Sequence, residues 1–296
     1  MENNYELMYI CYQAAHAGGN AVADYKVKQA KTKGDVYVGH HAIVTSADFK
    51  SQSEILREIR EHDPVARFMT EEHVKDKWFK NRLIKADNLD SMLNSRVYVI
   101  DELDGTSSKK IGHYEWSISV GCVQNLEHIA GAIFAPHVYR GTLFCGAKGH
   151  GAHIKINSKT ERCNVSDNRL SNSYVIVGVD CFLSKYPIHN KLLQTVGDKC
   201  RTINANGSCA LPLGLVASGR ADVLIQPPQC PWDWVAGKLL VEEAGGSVLF
   251  YEMESKKIKF LDKLEPKHYH PEKRAVGFIA GNKKLVSDIM DLMLKI

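Results

Sequence analysis

Apolar residues near the start of the chain recur at steps of three and four. This spacing places them on one face of an α-helix, and the positions are Leu7, Ile10, Cys11, Ala14, Ala21, Val22 and Tyr25. A polar stretch at 31–41 predicts a loop after this helix. Ile55, Leu56 and Ile59 then predict a second helix, which begins near Ala47.

Short runs rich in β-branched and other apolar residues follow, and they predict strands. In the first half these runs lie at 97–101, 117–123, 128–135 and 151–157. In the second half they lie at 174–180, 221–226, 247–250 and 274–281.

Three further helices are predicted among and after these strands. One covers 208–218, where Pro212 is tolerated only in the first turn. The next covers 233–244 and ends at a Gly-Gly pair, which suits a helix C-terminus. The last covers 285–296. Long helices that alternate with groups of strands favour an α/β (α+β) fold in which helices cover sheets.

The composition is that of an ordinary folded protein. The chain has 296 residues, of which 44% are hydrophobic and 24% charged, so it can bury a full core. We expect a single unit in two packed halves, 1–165 and 166–296. The net charge of +4 suits an anionic substrate but falls short of a dedicated nucleic-acid binder.

The cysteines and the N-terminus indicate a cytoplasmic protein. None of the eight cysteines forms a CxxC pair, which excludes a zinc ribbon or a thioredoxin-like motif. Most lie in apolar stretches and are expected to be reduced and buried. The start, MENNYELMYI, has no apolar signal core. No run approaches the roughly 20 apolar residues that span a bilayer, so no membrane association is expected.

Acidic residues occur in four short segments, and together they suggest a single site for a cation. The segments are IVTSAD (43–48), TEE (70–72), DELDGT (101–106) and PWDWVAG (231–237). Asp101 and Asp104 follow an apolar strand, where paired carboxylates repel each other unless a cation lies between them. Mg²⁺ binds through few carboxylates together with substrate phosphate. The sequence therefore predicts a Mg²⁺-dependent enzyme that acts on a phosphate ester.

The residues around Leu103 add detail to this site. A turn after the strand would let the Leu103 carbonyl converge on metal with the two aspartates. Gly105 permits such a turn, and Thr106 would open a helix whose free N–H groups bind phosphate. The Thr106 hydroxyl could orient a water molecule.

Each acidic residue also has a simpler interpretation. Asp233 and Asp48 stand at predicted helix starts, where aspartate is favoured as an N-cap. Glu71, taken alone, is a solvated surface charge. The joint occurrence of these residues favours the metal site.

The four segments resemble the inositol monophosphatase family, within the wider lithium-sensitive, Mg²⁺-dependent phosphatase superfamily. The family patterns D-P-[I/L]-D-G-[T/S] and W-D-x-A-A-G…E-A-G-G are similar to DELDGTSS (101–108) and WDWVAGKLLVEEAGG (232–246). VTSAD (44–48), TEE (70–72) and GSCALPLGLVASGRAD (207–222) resemble further family blocks. The matching blocks run in family order from about residue 7 to 281.

The resemblance implies a layered α/β/α/β/α sandwich, two or three Mg²⁺ ions and a homodimer. It implies five metal ligands: Glu71, Asp101, the carbonyl of Leu103, Asp104 and Asp233. Asp48 and Thr106 would hold or activate the attacking water. The N–H groups of Gly105 and Thr106 would contact phosphate, and Gly207 and Ser208 would line the substrate side.

Three positions depart from the family pattern. Glu102 replaces the proline of D-P-x-D, and Thr70 replaces the glycine before the two glutamates. Inositol-specific members have a glutamate seven residues before the second-half aspartate, where it contacts sugar hydroxyls. Here this position is Gln226, which we expect to meet the substrate without a charge.

Hydrolysis of a small phosphorylated metabolite similar to inositol monophosphate is therefore the expected activity. A 3′(2′),5′-bisphosphate nucleotidase or a sugar bisphosphatase is an alternative, for which Lys109 and Lys110 are candidate contacts to a second phosphate. An alternative of another class is a scaffold or partner of the RNA machinery. The bacterial SuhB-like branch of the family has such a role, and segment 207–222 resembles that branch.

Overall fold

The computed structural model describes residues 4–27, 30–32, 43–179, 187–254 and 257–296. The predicted loop at 31–41 lies mostly outside these ranges. Within them the helices are α1 (Asn4–Val22), α2 (Ser46–His62), α3 (Lys77–Lys80), α4 (Thr106–Lys110), α5 (Pro187–Gly197), α6 (Ala210–Ala217), α7 (Pro231–Glu243) and α8 (Lys283–Met293).

α2 begins at Ser46, next to the predicted Ala47, and α6 begins at Ala210, two residues after the predicted 208; each start has a local cause. Thr45 is the N-cap of α2, and its hydroxyl accepts a hydrogen bond from the Ala47 N–H at 3.1 Å. Pro212 stands in the first turn of α6, where its missing N–H costs no hydrogen bond.

A seven-stranded sheet is built from the first half of the chain. Its order is β3-β4-β5-β6-β7-β8-β9, and every neighbouring pair except the parallel β3–β4 pair is antiparallel. A separate short ladder joins β1 (Ala30–Thr32) to β2 (Ile43–Thr45). The strands of the large sheet are β3 (Arg67–Thr70), β4 (Arg96–Asp104), β5 (Ser117–Gln124), β6 (Glu127–Ala135), β7 (Thr142–Ala147), β8 (Gly151–Ile156) and β9 (Lys159–Arg162).

A six-stranded mixed sheet is built from the second half, in the order β11-β10-β12-β15-β13-β14. Its strands are β10 (Tyr174–Val177), β11 (Thr202–Asn204), β12 (Val223–Gln229), β13 (Ser247–Glu254), β14 (Lys257–Phe260) and β15 (Val276–Gly281). The division into two packed halves at residue 165 stays a prediction, although the two large sheets use separate parts of the chain.

The helices form three layers around the two large sheets. α1 and α2 pack on one face of the seven-stranded sheet, and α6 and α7 lie between the two sheets. α8, which contacts α5, covers the outer face of the six-stranded sheet. The predicted α/β fold with its α/β/α/β/α layering is confirmed. α7 packs closely against β5: a Cβ on Gly121 would lie 2.8 Å from the Ala236 nitrogen.

Several element boundaries differ from the predictions. β4 continues to Asp104 rather than ending at 101, because its pairing with β5 resumes after an irregularity. The strand predicted at 174–180 ends at Val177. α7 begins at Pro231, two residues before the predicted start. β7 was not predicted: its six residues, TLFCGA, include a single β-branched residue, whereas each strand predicted in the first half contains at least two.

Candidate metal and phosphate site

The residues singled out in the sequence come together at one cleft between the two sheets. Its empty space, including the open mouth, is about 750 Å³. Every predicted site residue except Asp48 lines it: Glu71, Asp101, Leu103, Asp104, Gly105, Thr106, Gly207, Ser208, Gln226 and Asp233. Asp48 lies behind this lining and reaches it through Thr106.

A bulge at the end of β4 explains how two aspartates three residues apart face the same side. In a regular strand, such residues point to opposite faces. Here β4 advances from Asp101 to Asp104 while β5 advances only from Ser119 to Ser117. Because the two serines are two residues apart, they share a face, and so do their aspartate partners. The Leu103 N–H donates to Asp101 Oδ1 at 2.9 Å and closes the bulge.

The chain then turns sharply at Gly105 and begins α4 at Thr106. Gly105 has a φ of 83°, in the left-handed region that favours glycine. A Cβ there would lie 2.8 Å from the carbonyl oxygen of Glu115, so a larger residue would displace the backbone. Thr106 and Ser107, whose N–H groups have no partner within the helix, line the cleft together with Gly105.

Asp48 connects α2 to Thr106. It is not the N-cap of α2 but the third helical residue, and its Oδ2 accepts hydrogen bonds from the N–H and hydroxyl of Thr45 at 2.8 and 2.5 Å. Its Oδ1 lies 3.1 Å from the Thr106 hydroxyl, which is also 2.9 Å from the Leu103 carbonyl oxygen. One carboxylate oxygen of Asp48 therefore stabilises the start of α2, and the other contacts Thr106 at the site.

Asp233 and Asp104 each serve the beginning of a helix. Asp233 is the third residue of α7, and its Oδ2 accepts from the Cys230 N–H at 2.9 Å, so Cys230 rather than Asp233 is the N-cap. Asp104 accepts from the N–H groups that start α6, at 2.8 to 3.3 Å, and from the hydroxyls of Ser117 and Ser208. A carboxylate from the first half thus caps a helix of the second half.

The carboxylates form two groups whose oxygens lie within 4.8 Å of one another: Glu71–Asp101–Glu102 and Asp101–Asp104–Asp233. Asp101 belongs to both. Burial raises the pKa of Asp101 well above its ordinary value, and the negative charges of Glu71, Asp104 and Asp233 raise it further. Burial likewise raises the pKa of Asp233, against the opposing effect of Arg274.

This donor set fits a divalent cation. All the converging ligands are oxygen atoms, which hard cations such as Mg²⁺ prefer. Burial and the neighbouring negative charges both disfavour the ionised forms of Asp101 and Asp233, and a bound cation would offset both effects. Glu71, Asp101, the Leu103 carbonyl, Asp104 and Asp233 are the residues that would hold the metal.

The cleft also contains residues that the sequence analysis missed. Arg274 precedes β15, and Gln229 ends β12; both line the cleft on the side of Asp233. Neither stands in a recognisable segment, so only the fold brings them to the site.

Lys109 does not reach the cleft, contrary to its suggested role. Its ammonium group lies 3.9 Å from the centre of the Trp116 ring and 3.4 Å from the Ala23 carbonyl oxygen. Burial lowers its pKa to about 8. Neither Lys109 nor Lys110 is among the residues that line the cleft, so a second phosphate would have to meet a different cation.

Gln226 reaches the cleft despite the two prolines that follow it. Strand β12 runs through both prolines, and a shift in its pairing with β15 between Gln226 and Gln229 absorbs the irregularity. The side chain of Gln226 is buried, and its Oε1 lies 3.4 Å from Nε2 of Gln229.

The fold and the cleft define a layered α/β protein with a cluster of carboxylates beside a helix start. Comparison with protein families matches residues 3–285 to the inositol monophosphatase family. The chain belongs to the inositol monophosphatase family, as the sequence motifs predict.

Individual relatives agree with this assignment. The chain is 29% identical to the Nus factor SuhB of Escherichia coli (strain K12) over 248 residues, which are 82% of this chain and 84% of that protein. It is 31% identical over 216 residues to the fructose-1,6-bisphosphatase/inositol-1-monophosphatase of Thermotoga maritima, covering 71% of this chain and 72% of that protein. The crystal structure of suhB from Bartonella henselae superimposes with a TM-score of 0.75 at 26% identity, covering 98% of both chains.

Proposed function

We propose that the protein is a Mg²⁺-dependent phosphomonoesterase that hydrolyses a small phosphorylated metabolite similar to inositol monophosphate. The observation that carries this proposal is the pair of carboxylate groups that share Asp101, directly beside the Thr106–Asp48 contact. Family membership and the similarity to the Thermotoga maritima phosphatase support it.

The residues divide the work between binding and proton transfer. Bound Mg²⁺ supplies a water of lowered pKa and neutralises charge on the phosphate. The N–H groups of Gly105 and Thr106, at the turn where α4 begins, would orient the phosphate oxygens. The Thr106 hydroxyl has one hydrogen, which it donates to either Asp48 Oδ1 or the Leu103 carbonyl oxygen. In both cases the lone pairs of the hydroxyl oxygen are left to accept a hydrogen bond from the attacking water. Gly207, Ser208 and Gln226 surround the leaving group.

A phosphate-release screen tests the proposal. Purified protein is incubated with inositol monophosphates, sugar phosphates and 3′,5′-adenosine bisphosphate, with Mg²⁺ or with EDTA. We expect Mg²⁺-dependent release that is highest for inositol monophosphate. Absence of Mg²⁺-dependent release from every substrate would contradict a phosphatase function.

Replacing Thr106 by alanine is expected to lower kcat by about 10²-fold, the size typical of a group that positions a proton transfer, with a smaller change in KM. Thr106→Ser keeps the hydroxyl and should retain most of the activity. Ser107→Ala, next in the chain and also in the cleft, is the matched control. A defect confined to KM would mean that Thr106 only binds substrate.

Replacing Gln226 by glutamate is expected to favour inositol monophosphate. A charged acceptor strengthens hydrogen bonds to hydroxyls by about 1 kcal/mol over a neutral one, or about fivefold in kcat/KM. An aryl phosphate offers no hydroxyls, so its hydrolysis should change little. Gln229→Glu adds the same charge three residues away and serves as the control. Equal changes for both substrates would mean that Gln226 does not contact the leaving group.

A second candidate function is a partner role in the RNA machinery, which the similarity to the Nus factor SuhB favours. The two functions can be distinguished in cells whose growth requires this protein. A variant without phosphatase activity is expressed there in place of the wild type. Growth restored by that variant would favour the partner role, and failure to restore growth would favour catalysis.

Three further expectations accompany the proposal. The described cysteines are free and nearly all buried, which supports a cytoplasmic location. No described helix has both the length and the apolar character to cross a membrane. Family membership supports a homodimer and inhibition by lithium, which light scattering and activity assays in LiCl would test.

A further inference from the structure

Glu102 is a fully buried acidic residue in β4, between the two aspartates of the site. It has no solvent-exposed surface, which is rare for a glutamate without a compensating charge. Its side chain lies among other acids, since one of its oxygens is within 4.8 Å of an oxygen from Glu71 and one from Asp101. Something must therefore offset the cost of placing this carboxylate here.

Gln52 holds one side of the Glu102 carboxylate. Its Nε2 donates to Glu102 Oε1 at 2.8 Å and to the Glu72 carbonyl oxygen at 2.9 Å. Gln52 is itself buried in α2, so this contact fixes the orientation of Glu102. The other oxygen, Oε2, has no hydrogen-bond partner among the described residues. A buried carboxylate oxygen without a partner costs free energy unless a ligand satisfies it.

The neighbours of Glu102 indicate which ligand that is. One of its oxygens lies within 4.8 Å of an oxygen from Glu71 and one from Asp101, residues that already belong to the cation site. A divalent cation between these three would satisfy the unpaired oxygen and offset the mutual repulsion of the acids. A protonated Glu102 would also relieve the repulsion, but Oε2 has no described acceptor for the added hydrogen.

We propose that Glu102 is a third carboxylate ligand of the cation held by Glu71 and Asp101. The inference rests on the proposed metal-dependent function and adds a ligand to it. Two three-carboxylate groups then share Asp101, each with its own cation. Since affinity for hard cations rises with the number of charged ligands, Glu102 should tighten binding at its site.

A titration of the metal-free 296-residue chain with Mn²⁺ tests this inference. Binding is measured by calorimetry and by electron paramagnetic resonance. Glu102→Gln keeps the shape of a protonated glutamate but removes the charge. It should weaken Mn²⁺ binding at one site by about tenfold or more. Glu72→Gln removes the same charge from the adjacent buried acid that belongs to neither carboxylate group, and should weaken binding by less than about threefold.

The two variants distinguish direct coordination of the cation by Glu102 from the general effect of a nearby negative charge. Unchanged Mn²⁺ binding by E102Q, or equal weakening by E102Q and E72Q, overturns the inference. Wild-type protein that binds no Mn²⁺ overturns the proposed function together with it. Should E102Q fail to fold, Glu102→Asp provides a second test, because it keeps the charge but withdraws the oxygen; full affinity in E102D overturns the inference.

Discussion

Replacing Asp101 by asparagine is expected to abolish Mg²⁺-dependent phosphate release while making the metal-free protein more stable. Asp101 belongs to both carboxylate groups, so its loss weakens every proposed cation site at once. Metal ions supply several kcal/mol of transition-state stabilisation, and about 4 kcal/mol corresponds to about 10³-fold in rate. We therefore expect kcat/KM to fall by about 10³-fold or more.

The gain in stability has an electrostatic cause. The pKa of Asp101 is raised well above its ordinary value, so the folded state holds its proton more tightly than the unfolded chain does. The metal-free protein consequently loses stability as the pH rises above the ordinary range of aspartate pKa values. Asparagine cannot ionise and still accepts the hydrogen bond from Leu103, so it removes this loss.

Urea unfolding in EDTA at pH 7 measures the effect. The free energy of unfolding should rise, because the folded state no longer holds an ionised carboxylate against its raised pKa. At pH 4 the difference from wild type should be smaller. Asp87→Asn changes an exposed aspartate and should alter neither activity nor stability. A less stable Asp101→Asn protein in EDTA would contradict the proposed repulsion among the carboxylates.

Most residues of the site could be predicted from the sequence, because their type and spacing indicate their chemistry. Two aspartates around Leu103 after an apolar strand, followed by Gly105 and Thr106, have few uses other than a cation and phosphate site. Helices that cover sheets were also predictable, since helix and strand periodicities depend on neighbouring residues alone, whereas the α/β/α/β/α order was implied by the family resemblance.

The remaining features depend on the fold, and no local pattern encodes them. The bulge that turns Asp104 to the side of Asp101 arises from pairing with β5. Arg274 reaches the cleft from a loop far along the chain. Lys109 was a reasonable candidate by proximity, but its direction is set by Trp116 and Ala23, which the sequence does not place. The sequence likewise does not show that the side chain of Glu102 is buried.

Replacing Asp104 by alanine is expected to have the opposite effect on stability from Asp101→Asn. Asp104 accepts hydrogen bonds from the N–H groups of Cys209, Ala210 and Leu211, and from two serine hydroxyls. These donors lie in buried residues, and alanine would leave them without an acceptor whether Asp104 is ionised or not. The loss of a helix cap costs about 1 kcal/mol, and each buried donor left without an acceptor costs about 1–3 kcal/mol.

Asp104 thus joins the end of β4 in one sheet to the start of α6 in the next layer, in addition to its proposed contact with metal. Urea unfolding in EDTA should show a loss of at least about 3 kcal/mol for Asp104→Ala. Ser117→Ala removes a single donor to the same carboxylate and should cost about 1 kcal/mol. If Asp104→Ala unfolded within 1 kcal/mol of wild type, the hydrogen bonds to α6 would contribute little, and Asp104 would serve the cation site alone. A large loss would instead mean that the same residue both assembles the site and stabilises the packing of the layers that form it.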